Sequence, residues 1–209
     1  MDAEVFRTWI ASAAEVIEAN RDHLTQLDAA IGDADHGTNL SRGFTAVLGA
    51  LDSASKTPGG ILTLTGNTLI SKVGGASGPL YGMAFRRAGK ALGDAADVDL
   101  SGLSAALKAA LAGVQQLGAA REGDKTMVDA LAPATRTFSK AITEGASPDD
   151  ALSSLAEAAS AGATATISMQ ALKGRASYLG PRSVGHEDPG AASTALILAA
   201  LRDAARGGR

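Results

Sequence analysis

The chain contains no cysteine. That excludes a disulfide framework, a thiolate metal site and a cysteine nucleophile. Aromatic residues are scarce, at 3% of the sequence. No apolar run approaches the ~20 residues that a membrane span needs. Basic residues do not dominate: 19 Lys and Arg against 22 Asp and Glu leave a net charge of -3. A nucleic-acid binder carries a basic stripe, so that class is excluded. The start, Met1-Asp2-Ala3-Glu4, places acid where a secretory signal carries base, which points to a cytoplasmic protein. Alanine is what the chain has in plenty, at 45 of its 209 residues. Alanine favours close-packed helices, whereas strands favour β-branched and aromatic residues. The composition predicts an all-α protein, one domain over residues 1–209.

Hydrophobic period predicts eight helices and no strand alternation. They run from about Ala3 to Leu24, Gly37 or Thr38 to Leu51, Ile61 to Ile70, Gly78 to Leu92 and Leu100 to Leu117. The sixth opens near Thr126; the seventh starts at Ser147-Pro148 and continues to about Leu172; the last spans Gly190 to Ala205, before a Gly207-Gly208-Arg209 tail. Ser147 suits an N-cap and Pro148 the first helical position. The oddly composed joints (Thr25 to His36, Val73 to Pro79, Gly118 to Lys125 and Lys173 to Pro189) all connect an odd-numbered helix to an even one. In an up-down antiparallel bundle they fall at one end. One site there is the expectation.

Asp28, Asp33 and Asp35 share the first joint, with no lysine or arginine between Asp22 and Arg42. If the helix ends near Asp28 and the chain then runs extended, Asp33 and Asp35 point the same way and Asp28 can join them. All-oxygen ligation suits Mg²⁺ or Ca²⁺. An EF-hand is excluded, because the twelfth position counted from Asp33 is Phe44 rather than a bidentate Glu. Mg²⁺ takes one or two carboxylates and completes its shell with water and phosphate oxygens, so three aspartates suffice for two ions bridged by a polyphosphate. The plainer alternative makes Asp33 and Asp35 an N-cap and a turn residue.

Val73-Gly74-Gly75-Ala76-Ser77-Gly78-Pro79 precedes a helix and suits either a phosphate at the helix N-terminus or a tight interhelix turn. It is neither a P-loop nor a Gly-x-Gly-x-x-Gly fingerprint. In Glu122-Gly123-Asp124-Lys125-Thr126, Lys125 suits a phosphate, while capping is the better reading for Asp124. The stretch Lys173 to Gly190 lacks periodicity and carries Arg175, Arg182, His186 and Tyr178. A loop this long is usually functional or disordered, and its glycines suit a lid whose arginine grips an anion.

Five segments, Ile31-Gly-Asp-Ala-Asp-His-Gly-Thr-Asn39, Gly74-Gly-Ala-Ser-Gly-Pro79, Gly123-Asp-Lys-Thr-Met127, Lys173-Gly-Arg-Ala-Ser-Tyr178 and Gly185-His-Glu-Asp-Pro-Gly190, resemble the nucleotide-binding L-subunit family of dihydroxyacetone kinases. The likeness spans nearly the whole chain, in family order. It implies an eight-helix antiparallel barrel with ADP or ATP at one end. It implies that Asp28, Asp33 and Asp35 hold two Mg²⁺ ions, and that His36, Gly37, Thr38, Asn39, Ala76, Ser77, Gly118, Met127, Arg175, Asp188, Pro189 and Gly190 contact the nucleotide. Its implied partners are a dihydroxyacetone-binding kinase subunit and a phosphohistidine phosphotransferase subunit. A transcriptional regulator and a second copy of the chain are further partners it leaves open. The length, without a substrate domain, fits a free-standing subunit.

Phosphoryl transfer is mostly positioning and charge neutralisation, so no covalent nucleophile is required on this chain. Neither His36 nor His186 is expected to become phosphorylated. Two other readings stand beside the ADP-carrying subunit: a kinase subunit with exchangeable ATP acting on dihydroxyacetone or a related ketose, and a non-catalytic nucleotide sensor.

Overall fold

The computed structural model describes residues 1–53 and 56–207. Gly208 and Arg209 of the expected tail lie outside the described residues. Among the described residues there are nine α-helices, three 3₁₀ segments and no strand. The helices are α1 (Ala3–Ala19), α2 (Arg21–Ile31), α3 (His36–Ala50), α4 (Pro58–Lys72), α5 (Ser77–Leu92), α6 (Leu100–Gly118), α7 (Val128–Thr143), α8 (Pro148–Ala165) and α9 (Pro189–Gly207). No helix of the described residues is long and apolar enough to cross a membrane.

The starts follow local chemistry. The Asp2 carboxylate accepts from the Glu4 and Val5 amides, Asp99 accepts from Gly102 at 2.6 Å, and Ser147 accepts from Asp150 with Pro148 at the first helical position. Each satisfies an amide that the helix leaves without a partner.

Two boundaries differ most from the sequence reading, beside shifts of up to three residues such as the start of α4 at Pro58 rather than near Ile61. The first predicted helix divides at Asn20, where the Asn20 side-chain amide donates to the Val16 carbonyl at 2.8 Å and the backbone leaves helical geometry. Eight predicted helices thereby become nine, and α2 carries the chain on to Ile31. The seventh predicted helix stops at Ala165 rather than near Leu172, and a 3₁₀ turn over Thr166–Ser168 ends it. There Thr166 turns its hydroxyl inward as acceptor for the Asp188 amide at 2.9 Å.

Packing contacts run in a closed order, α1 to α3, α4, α5, α6, α7, α8, α9 and back to α1. Helices α4 and α5 approach most closely, because a Cβ on Gly66 would stand 2.5 Å from the Gly82 carbonyl oxygen and one on Gly89 2.5 Å from that of Gly59. The interior is filled by Ile, Leu and Ala around an aromatic chain in which Phe6 meets Trp9, Trp9 meets Phe85, and Phe85 meets Phe44 edge-on. The Trp9 indole N–H donates to the Ile197 carbonyl at 2.9 Å, so its polar edge is satisfied inside that core.

Candidate functional site

The carboxylate cluster begins with α2 running past Asp28, which places this side chain on the last turn, buried. One Asp28 oxygen accepts from the Asp35 amide at 2.8 Å and the His36 amide at 3.1 Å. The link between Asp28 and α3 is short because Ala34 takes a left-handed backbone, φ +62°, instead of the extended run expected. The three aspartates nevertheless converge: one oxygen from each of Asp28, Asp33 and Asp35 lies within 4.8 Å of the others. Asp35 occupies the N-cap position of α3, yet its side chain makes no capping hydrogen bond. The plainer reading has the position right, but the Asp35 carboxylate does not cap the helix. Gly32 completes the corner, since a Cβ there would stand 2.0 Å from an Asp28 oxygen. Only glycine leaves that carboxylate its room.

Arg175 reaches this corner from the long segment, its Nε 2.9 Å from an Asp33 oxygen. Beside it, Gly75, Ala76 and Ser77 bring in the start of α5, where no side chain caps the first amides. Met127 at the start of α7 and Asp188, Pro189 and Gly190 at the start of α9 line the same cavity. The joints α2–α3, α4–α5, α6–α7 and α8–α9, which are the four picked out in the sequence, all contribute to this cavity.

Of the other residues named in the sequence, Lys125 also lines the cavity, whereas Gly37, Thr38, Asn39, Gly118 and Asp124 do not. Gly37 is buried against α2, where a Cβ would stand 2.0 Å from the Arg21 carbonyl oxygen. Thr38 faces solvent, and Asn39 is buried, accepting from Arg42 at 2.7 Å. Gly118 ends α6 behind Leu80, which itself lines the cavity. Lys125 is fully buried and donates to the Thr166 carbonyl at 2.7 Å and to that of His186, so its amine clamps the long segment. Burial lowers its pKa, partly offset by Asp188. Asp124 accepts from the Arg121 amide at 2.9 Å and closes its own turn rather than capping α7.

The structure adds Tyr81 and Ser193, which the sequence reading did not single out. His36 Nε2 lies 2.9 Å from Ser193 Oγ, and Ser193 Oγ lies 2.7 Å from the Tyr81 hydroxyl. The Tyr81 hydroxyl in turn donates to the Gly190 carbonyl at 3.0 Å. Polar side chains on inward faces of α5 and α9 were the available signal. Burial lowers the His36 pKa against the opposing pull of Asp28 and Asp35, and burial pushes the Tyr81 phenol up. Asp188 is raised to about 7 by burial, with Asp129 and Asp28 adding to the rise while the Ala191 amide and Lys125 oppose it.

A convergent carboxylate triad beside a glycine loop and an arginine describes an anion-and-cation site, and its sequence carries a family pattern. The DAK2 domain matches residues 30–203. The chain belongs to the DAK2 domain family. A DAK2 relative, the ADP-binding subunit DhaL of a PEP-dependent dihydroxyacetone kinase from Escherichia coli K12, is 42% identical over 199 residues, covering 95% of each chain. The L-erythrulose 1-kinase of Mycolicibacterium smegmatis is 37% identical over 190 residues, which is 90% of this chain but 33% of that enzyme. A crystal structure of the dihydroxyacetone kinase from C. freundii in complex with AMP-PNP and Mg²⁺ superposes with a TM-score of 0.68 at 29% identity, over 96% of this chain and 33% of that one. This DAK2 chain thus spans about a third of the erythrulose kinase and of the crystallised dihydroxyacetone kinase, and nearly all of the ADP-binding subunit.

Proposed function

We propose that this chain is the ADP-carrying phosphotransferase subunit of a dihydroxyacetone kinase. Its bound ADP receives a phosphoryl group from a phosphohistidine protein and gives it to dihydroxyacetone held on a separate subunit. The observation that carries the reading is the triad of Asp28, Asp33 and Asp35 oxygens within 4.8 Å at the cavity where Ala76, Ser77 and Arg175 meet. The higher identity to the ADP-binding subunit, 42% against 37% for the erythrulose kinase, supports this reading over a kinase with exchangeable ATP.

The residues present fit divalent cations. The donors are hard carboxylate oxygens, and the Gly32 cradle keeps Asp28 where a β-carbon would displace it. Asp28, Asp33 and Asp35 would hold two Mg²⁺ ions, which when bound neutralise charge on the transferring phosphoryl oxygens. The chain's own part is positioning. Asp28 fixes the start of α3 through two backbone amides while presenting its carboxylate to the cluster. The amides at the start of α5, free of side-chain caps, offer positive partial charge to a phosphate. Arg175, planar and permanently charged, grips an anion at the same corner. No residue here forms a covalent intermediate, and His36 is held by its hydrogen bond to Ser193.

The reading is tested by supplying the purified chain with ³²P-labelled phosphohistidine protein, then with the dihydroxyacetone-binding subunit and dihydroxyacetone. Label passing first into bound nucleotide and then into dihydroxyacetone phosphate supports it. Label on His36 or His186, or transfer that needs a continuing supply of free ATP, contradicts it.

A further inference from the structure

Six of the seven aromatic side chains, among them Trp9 and Tyr81, lie in the interior. The seventh does not. Tyr178 is 89% exposed, and Leu172 at 53% and Val184 at 45% are exposed toward the two ends of the same stretch of chain. It stands on the 3₁₀ segment Arg175–Ser183, three residues beyond the arginine that pairs with Asp33 at the rim of the cavity. The segment itself carries Lys173, Arg175 and Arg182, with no acidic residue between Lys173 and His186, and of these Arg175 is paired with Asp33.

This segment is tied down rather than loose. The Ala171 amide donates to the Ser183 hydroxyl at 2.8 Å, the Gly185 amide to the Ile167 carbonyl at 2.7 Å, and the Leu172 amide to the Asp124 carbonyl at 3.0 Å. Ala171 and Ala176 pack with Ile31 in a small core of their own beneath it. A ring exposed on a fixed platform has already met the ordering cost of being presented. Tyrosine and arginine are also the side chains most often found as anchors at protein interfaces.

We propose that Tyr178 anchors the docking surface for the substrate-binding kinase subunit, whose facing surface is an apolar pocket rimmed by acidic residues. The proposal rests on the phosphotransferase reading above. In that reading the acceptor site stands on another chain and must be brought against this rim, because the terminal phosphate sits at the aspartate corner beside Arg175. The single-chain kinase of which this chain spans a third carries the remaining two-thirds covalently attached. A separate subunit needs a surface for the same encounter.

The test is phosphoryl transfer from the loaded full chain at increasing concentration of the substrate-binding subunit. Tyr178→Ala is expected to raise the KM for that subunit at least tenfold, with kcat at saturation within twofold of the parent and retained ADP unchanged. Tyr178→Phe should restore the parent KM, because the ring rather than the hydroxyl does the packing. Arg182→Glu should raise it as well. An unchanged partner KM in both Tyr178→Ala and Arg182→Glu, with an active parent, overturns the docking surface alone. Loss of ADP from Tyr178→Ala would instead place the ring in the nucleotide site and overturns it too. A parent that neither keeps nucleotide nor transfers phosphate defeats the underlying reading together with this one.

Discussion

His36 Nε2 and Ser193 Oγ meet at 2.9 Å across 157 residues of chain, joining the start of α3 to the first turns of α9. Through Tyr81 the same hydroxyl reaches the Gly190 carbonyl region, so the aspartate corner and the Asp188–Gly190 corner are held in one register. Ser193→Ala removes the partner of His36 inside a buried network, at an expected cost of about 1–3 kcal/mol. Urea unfolding should report that loss. Equilibrium dialysis should show weaker ADP binding, whereas Thr38→Ala, at an exposed position off the cavity wall, should leave stability unchanged.

Asp28 and Asp33 should separate by experiment. Asp33 is about a third exposed and pairs with Arg175, so Asp33→Ala should abolish metal-dependent nucleotide retention while circular dichroism and Tm stay near the parent's. Asp28 is buried and accepts two amides, so Asp28→Ala should cost both retention and about 1–3 kcal/mol of stability. Unchanged retention in Asp33→Ala would remove that carboxylate from the metal shell.

Gly32→Ala tests the cradle itself. The new β-carbon would overlap the Asp28 carboxylate at 2.0 Å, so the carboxylate must swing away. Isothermal titration with MgADP should show affinity reduced at least tenfold. An unchanged binding isotherm would mean that the Asp28 carboxylate is not held where this structure puts it.

Asp188 supplies a pH dependence. Its folded-state pKa, about 7, lies above its ordinary value of 3.8, so the native state holds a proton that the unfolded chain gives up between those values. Stability from this group is therefore full below the ordinary carboxylate range and falls as pH rises through about 7. Asp188→Asn, which keeps an acceptor for the Ala191 amide, should gain on the parent from pH 5 to about pH 7 and run parallel to it above that, in chelator-treated protein. Stability curves for the two proteins that are already parallel below about pH 7 would contradict the assignment.

Most helices were legible because their signals are local. Ser147-Pro148 begins α8 as its capping chemistry requires, and the apolar periods of α5 and α6 place both within a residue or so. The break at Asn20 was not legible, since the apolar rhythm of Val16, Ile17 and Leu24 continues across it. The aspartates were found for a partly mistaken reason. Convergence was expected from extended backbone, whereas a longer helix and a left-handed Ala34 achieve it, and alanine gives no advance sign of taking that strain. Lys125 shows a further limit: a lysine beside a glycine loop suggests phosphate, but two carbonyls contributed from distant segments claim its amine. Tyr81 and Ser193 lie on helices more than a hundred residues apart, and only the fold brings them together.

The most direct measurement is nucleotide content after exhaustive dialysis of the purified chain, once against magnesium and once against a chelator. Near-stoichiometric ADP kept in magnesium and lost in chelator is the predicted result. Equal content in both buffers, or none in either, would contradict a nucleotide tethered through cations on Asp28, Asp33 and Asp35.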